Sequence, residues 1–168
     1  MRAQWSLLLL LIASVGCDSD PLGIEVSSGR LDNPIAITPH PDGRYLYVVN
    51  AGFEREFRGG SVSVYDTTRH RFLSQAGKEI GLFGGQIVTR EYTDKEGAER
   101  VSALTVSRDP SALIQFSIEA RLGDTSKHLK EVSTADTFGE GPFAAAPYGI
   151  AVDDDGVMVT HLNSGVVS

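Results

Sequence analysis

The sequence predicts an all-β fold, and three observations predict it. Runs rich in β-branched and aromatic residues recur at strand length, as in "RYLYVVN" (44–50) and "ALIQFSIE" (112–119). Between them lie clusters of glycine, proline and aspartate, as in "PHPDG" (39–43) and "DDDG" (153–156), which is the chemistry of tight turns. The strand, turn, strand pattern of "NPIAITPHPDGRYLYVVNAG" (33–52) also returns as "PYGIAVDDDGVMVTHLNSG" (147–165).

The chain opens on an apolar run, "WSLLLLLIASV" (5–15), preceded by Arg2. A spanning helix needs about 20 residues, so a run this short reads as the core of a signal peptide over residues 1–16. Residues 17–32, "CDSDPLGIEVSSGRLD", are polar and rich in turn formers, and they read as a flexible tether. The alternative for this stretch is a first strand through Ile24–Val26 that pairs with a later sheet.

The regular pattern begins at residue 33. Ile35–Thr38 is a short apolar strand, and the Asp42-Gly43 turn admits positive φ. "RYLYVVN" is too continuously apolar for one wet face and predicts a strand buried on both sides. "AGFEREFRGG" (51–60) is a polar loop that carries Phe53, Arg55, Phe57 and Arg58. In "SVSVYD" (61–66), Val62 and Val64 alternate with Ser61, Ser63 and Tyr65, the period-2 signature. "FLS" (72–74) begins an edge strand. Gln86–Tyr92, Val101–Ser107 and Ala112–Glu119 are further strands, and Lys127–Val132 is one more strand or a short helix. The second copy aligns Ile35-Ala36-Ile37 with Ile150-Ala151-Val152, Gly43 with Gly156 and Asn50 with Asn163.

Composition bounds the function. The chain has 168 residues, 41% hydrophobic and 22% charged, the balance of one globular domain. Its net charge is −7, its pI about 5.0, and no Lys/Arg cluster is present. A nucleic-acid partner is therefore not expected.

Two resemblances carry the rest. Ser14, Gly16 and Cys17 resemble the lipobox of bacterial lipoproteins, with Ser14 standing where Leu is commonest. The resemblance implies cleavage between Gly16 and Cys17 and lipid on the Cys17 sulfur. Cys17 is the single cysteine of the chain, so no internal disulfide competes for it. Tyr47-Val48-Val49-Asn50 followed by Gly60-Ser61-Val62-Ser63-Val64-Tyr65-Asp66 resembles the YVTN repeats of β-propellers, with Val49 replacing Thr. The match is close over residues 33–68 and weaker over 147–168. It implies a partial β-propeller of two to three four-stranded antiparallel blades, over residues 33–78, 79–146 and a truncated 147–168. A ring closes with about 4–8 blades, so the resemblance also implies an N-terminal fragment of a longer propeller.

Catalytic and metal signals are weak. His40, His70, His128 and His161 show no metal-ligand spacing, with His40 and His70 expected at the surface and His161 inside a strand. Asp153–Gly156 lacks the spaced acids of a calcium loop. Gly84-Gly85 is followed by no GK[ST] and cradles no phosphate. No catalytic, metal or cofactor residue is expected.

The function this predicts is a lipid-anchored binding or scaffold module of the bacterial cell envelope. Its partners are a membrane through the lipid, and an envelope protein, surface polymer or small ligand; the loop with Phe53, Arg55, Phe57 and Arg58 reads either as a solvated loop or as a partner-binding edge. The alternative is a lactonase-like or quinoprotein-like propeller enzyme whose site lies largely outside these residues.

Overall fold

The computed structural model describes residues 29–53, 57–119, 128–135, 146–153, 155–162 and 167. The signal peptide, Gly16, Cys17 and most of the expected tether lie outside them. The described residues are all β, in antiparallel sheets, and no sheet closes on itself.

The first sheet holds β1 (Pro34–Pro39), β2 (Tyr45–Asn50), β3 (Gly60–Asp66), β4 (Arg71–Phe72) and β5 (Lys78–Ile80). β1, β2 and β3 pair in sequence, and β4 and β5 share the far edge of β3. Gly43, at φ 73°, supplies the left-handed turn residue between β1 and β2. Asp66 ends β3 by accepting the Thr68 and Arg69 amides on its Oδ1 at 3.0 and 2.9 Å. That is an Asx turn, and it explains why "DTT" stops the strand.

The second sheet runs β6 (Ile87–Thr93), β7 (Glu99–Arg108), β8 (Ser111–Ile118), β9 (Leu129–Ala135) in simple order. The third is the hairpin β10 (Pro147–Val152), β11 (Val157–His161).

The sheets pack face to face. Tyr47, Val49, Val62 and Val64 of the first sheet share a core with Ala103, Ile114 and Phe116 of the second. The opposite face of the second sheet places Leu104 and Val106 against Ile150 and Val159 of the third. Alternate residues of β7 thus enter two different cores, and Ser102 to Ser107 are all buried. Apolar burial drives this arrangement, at about 1.5–3 kcal/mol for each large side chain. The first strands of the three sheets adjoin, β1 with β6 and β6 with β10. The Thr89 hydroxyl donates to the Pro39 carbonyl at 3.1 Å across the first of these seams.

"YLYVVN" is a strand whose Tyr45, Tyr47 and Val49 enter the core between the sheets, while Leu46 and Val48 line an open groove on the other face, so the expected burial on both faces is met in full on one face alone. The Asn50 amide nitrogen donates to the hydroxyls of Ser61 and Ser63, both at 2.9 Å. Its Oδ1 accepts the Asp32 amide at 2.9 Å, and the Ser63 hydroxyl donates to the Arg30 carbonyl at 3.1 Å. The serines of "SVSVYD" are therefore buried polar groups with partners, not a wet face. Asp32 and Arg30, in the stretch read as tether, supply part of that cover.

Three details refine or correct the sequence reading. β5 pairs with β3 and crosses the unit boundary drawn at residue 78. Its three residues carry too little pattern to read. The stretch expected as a strand or a short helix is the edge strand β9, in which Leu129 alone is buried, and Lys127 lies outside the described residues. The repeat register shifts by two residues. Pro34 pairs with Asn50 and Pro147 with His161, each followed by a bulge, so Pro34–Ile37 corresponds to Pro147–Ile150. His161, not Asn163, holds the place of Asn50. The cause is the turn: Val152 pairs with Val157, whereas the first hairpin closes at Pro39 and Leu46.

Candidate interaction surface

The loop after β2 returns as an aromatic and arginine cluster. Residues 81–86 run past the ends of all three sheets. Leu82 donates to Asp109 O at 2.8 Å, Phe83 to Ala51 O at 2.7 Å and Gln86 to Tyr148 O at 2.8 Å. Gly84 and Gly85 are there for space, because a Cβ would fall 2.6 Å from Val49 Cγ1 and 2.5 Å from Val106 Cγ2. The pair is a packing device.

The crossing holds Phe83 at φ 54°, a left-handed backbone that a bulky side chain rarely adopts. Arg108 Nε donates to the Phe83 carbonyl at 3.1 Å, and the same guanidinium lies 5.4 Å from the Phe83 ring centroid. The Phe53 ring stands 5.9 Å from the Phe83 ring. Phe53 is 45% exposed, so this aromatic pair reaches solvent. Phe57, by contrast, is buried beneath the Arg30 guanidinium, 5.1 Å from its ring. Arg58 is exposed, and a shallow hollow of about 360 Å³ beside it is lined by Glu79, Asp109 and Glu131 among others. Arg55 lies outside the described residues. Strained residues gather where a surface is held for use, and cation–π pairing fixes Arg108 over Phe83. The sequence pointed to Phe53 and Arg58. It carried no sign of Phe83 or Arg108, because a left-handed φ and a contact across two sheets leave no local pattern.

A second cluster lies in the interior. The Tyr47 hydroxyl and His128 Nε2 are hydrogen-bonded at 3.1 Å, and the Tyr45 and His128 rings meet edge to face at 4.5 Å. His40 covers the tyrosines, with ring centroids 6.2 and 6.3 Å away, and its Nδ1 lies 2.8 Å from Asp42 Oδ1. Burial first, then the neighbouring His40 and Arg44, lower His128 from 6.5 to about 4. Burial first, then Asp42 and Tyr45, push the Tyr47 hydroxyl well up. His128 is therefore neutral near pH 7, and the cluster is a satisfied core element, closed to substrate. His40 is half-buried, not a plain surface histidine, whereas His70 is exposed.

The remaining candidates resolve simply. His161 is buried in β11, and burial lowers its imidazole. Asp153 Oδ1 accepts the Asp155 and Gly156 amides at 2.9 and 2.8 Å, an Asx turn in place of a calcium loop. Among the described residues, no three His, Cys, Asp or Glu side chains converge as metal ligands. Cys17 and Gly16 fall outside the described residues.

The outer face of the first sheet carries an apolar groove of about 530 Å³, with Leu31, Ile37, Leu46, Val48, Tyr65 and Phe72 in its walls.

No family model matches the chain, and no curated protein matches it. The crystal structure of a functionally unknown protein from Desulfotomaculum acetoxidans is similar at 13% identity, over 80% of this chain and 54% of that one, with a TM-score of 0.29. The chain thus spans about half of that protein, and a likeness so distant carries no functional weight.

Proposed function

We propose that this protein is a lipid-anchored binding module of the bacterial cell envelope, built on propeller-type blades. The carrying observation is the Phe53–Phe83–Arg108 cluster, in which exposed Phe53 stands against half-buried Phe83 and Arg108 at the sheet ends, with Phe83 on a left-handed backbone. Arginine and aromatic side chains are the groups that most often anchor protein interfaces. A partner that presents carboxylates beside apolar surface, on an envelope protein or a surface polymer, suits this chemistry.

Two further features support the reading. Three sheets stacked face to face with adjoining first strands are what a ring of blades requires. The lipobox-like "ASVGC" supplies an anchor at Cys17. Each buried CH₂ of an acyl chain adds about 0.8 kcal/mol, so two or more chains on Cys17 hold the protein at a membrane.

Labelling cells with a palmitate analogue tests the anchor. The wild-type chain takes up label and Cys17→Ala does not. Equal labelling of the two would remove the anchor from the proposal.

A further inference from the structure

β9 is tied to the core at one end. It pairs with β8 along one edge, and among the described residues no strand pairs with its other edge. Leu129 is its one buried residue, and Lys130 to Ala135 lie in solvent. His128, just before it, is the second anchor. His128 is 3% exposed, hydrogen-bonded to the Tyr47 hydroxyl at 3.1 Å, with the Tyr45 and Tyr47 ring centroids 4.5 and 5.8 Å away. Two consecutive side chains, one apolar and one ionisable, thus tie this edge to the first sheet.

The His128 anchor suits a neutral ring. The β1–β2 turn faces it with His40, Asp42 and Arg44, β2 with Tyr45 and Tyr47, and the end of β3 with Asp66. β8 ends beside it at Glu119, whose amide donates to the His128 carbonyl at 2.8 Å. Neither aspartate is placed to pair with the ring. Asp42 accepts the Arg44 amide and meets His40 at 2.8 Å. Asp66 Oδ1 accepts the Thr68 and Arg69 amides, and its Oδ2 lies 3.9 Å from Arg69 Nε. A buried charge without an ion partner is costly. Burial, with His40 and Arg44, outweighs Asp42 and Asp66 at this ring. Charge on His128 therefore favours any state in which the ring reaches water. Release of β9 is the least costly such state, because Leu129 is the one buried apolar side chain that leaves with it.

We propose that β9 is an acid-released strand: a proton on His128 draws the ring from the core and β9 from the edge of β8, while the first sheet and β6 to β8 stay folded. At neutral pH β9 caps the second sheet. In acid its departure uncovers the edge of β8, a row of unpaired backbone groups of the kind onto which an extended segment adds. The device is independent of the lipid anchor and of the Phe53 edge.

Hydrogen exchange of the full chain in a Cys17→Ser background tests it, compared at pH 7 and pH 4 after correction for the intrinsic rate at each pH. The ring titrates at about 4 in the core against 6.5 in water, which favours the open state about 100-fold more at pH 4 than at pH 7. Protection over residues 130–135 should fall by that factor while β2 and β7 keep theirs. β10 and β11 are read apart, because His161 is also buried there. Equal loss over β9, β2 and β7 is unfolding of the whole molecule and overturns the proposal, as does unchanged protection of β9. In His128→Gln the pH-dependent loss over β9 should vanish, and its persistence would assign the effect to another group and overturn the role of His128. The first comparison uses the native ring, so it decides the matter even where His128→Gln does not fold.

Discussion

The Tyr47 hydroxyl and His128 Nε2 meet at 3.1 Å in the core between the first two sheets, 81 residues apart in the chain. The contact ties β2 to the start of β9. It also places an ionisable ring where its charged form has no water.

Stability should therefore depend on pH through His128. Its folded value of about 4 lies below the usual 6.5, so between these values the unfolded chain binds the extra proton. Stability is fully present above about pH 6.5 and falls as pH drops toward 4, by up to about 3 kcal/mol. Urea midpoints measured across this window should decline in the wild type and flatten in His128→Gln. His161 is lowered in the same direction by burial and leaves some residual slope. Burial raises Asp42, but the Arg44 amide and the His40 ring outweigh it and hold the carboxyl below its usual 3.8. Its contribution is lost only at still lower pH, outside the His128 window.

Asn50 should be more sensitive than its small size suggests. Its side chain satisfies Ser61, Ser63 and the Asp32 amide in a buried setting. Asn50→Ala strands those groups at a cost of about 1–3 kcal/mol. Chemical denaturation should show a lower midpoint with an unchanged slope.

Two glycines should respond differently to alanine. Gly43 has positive φ and open space around its Cβ position, so Gly43→Ala costs about 1–2 kcal/mol of backbone strain. At Gly85 an added Cβ would meet Val106 Cγ2 at 2.5 Å and the Tyr148 carbonyl oxygen at 2.6 Å. Gly85→Ala forces the second and third sheets apart, and overpacking of that kind costs about 1–3 kcal/mol or more. Thermal melts of both variants should rank Gly85→Ala as the less stable.

Phe53 and Phe57 separate binding from folding. Phe57 is buried under Arg30, and Phe57→Ala should cost about 3–5 kcal/mol. Phe53 is about half in solvent, so Phe53→Ala should cost far less than Phe57→Ala, about 1 kcal/mol or less. If the Phe53 edge binds a partner, then in a Cys17→Ser background without the anchor, Phe53→Ala loses the co-sedimentation with envelope fractions that its parent shows, while its melting curve stays that of the parent. Retained co-sedimentation would argue against this edge.

Strands whose pattern is continuous were legible in the residues. "YLYVVN", "GSVSVYD" and "SALIQFSI" each hold enough β-branched and aromatic residues to outweigh any local alternative. β9 was ambiguous because an edge strand buries only Leu129 and leaves Lys130 and Glu131 in water, which blurs the period. The place of Asn50 in the second hairpin is not Asn163 because equal counts from the Asp-Gly pairs ignore that the two turns differ in length. Phe53 and Arg58 drew attention as an aromatic and a cation in a glycine-rich loop. Phe83, Arg108 and His128 take their roles from contacts between sheets, and no local window contains those partners.

Among the described residues the third sheet has two strands and one covered face, while β7 is shielded front and back and paired on both sides. Local opening follows such differences in protection. In deuterium exchange, amides of β10 and β11 would trade first and those of β7 last. The molecule would come apart like a book losing its back cover, with the middle page the last to turn.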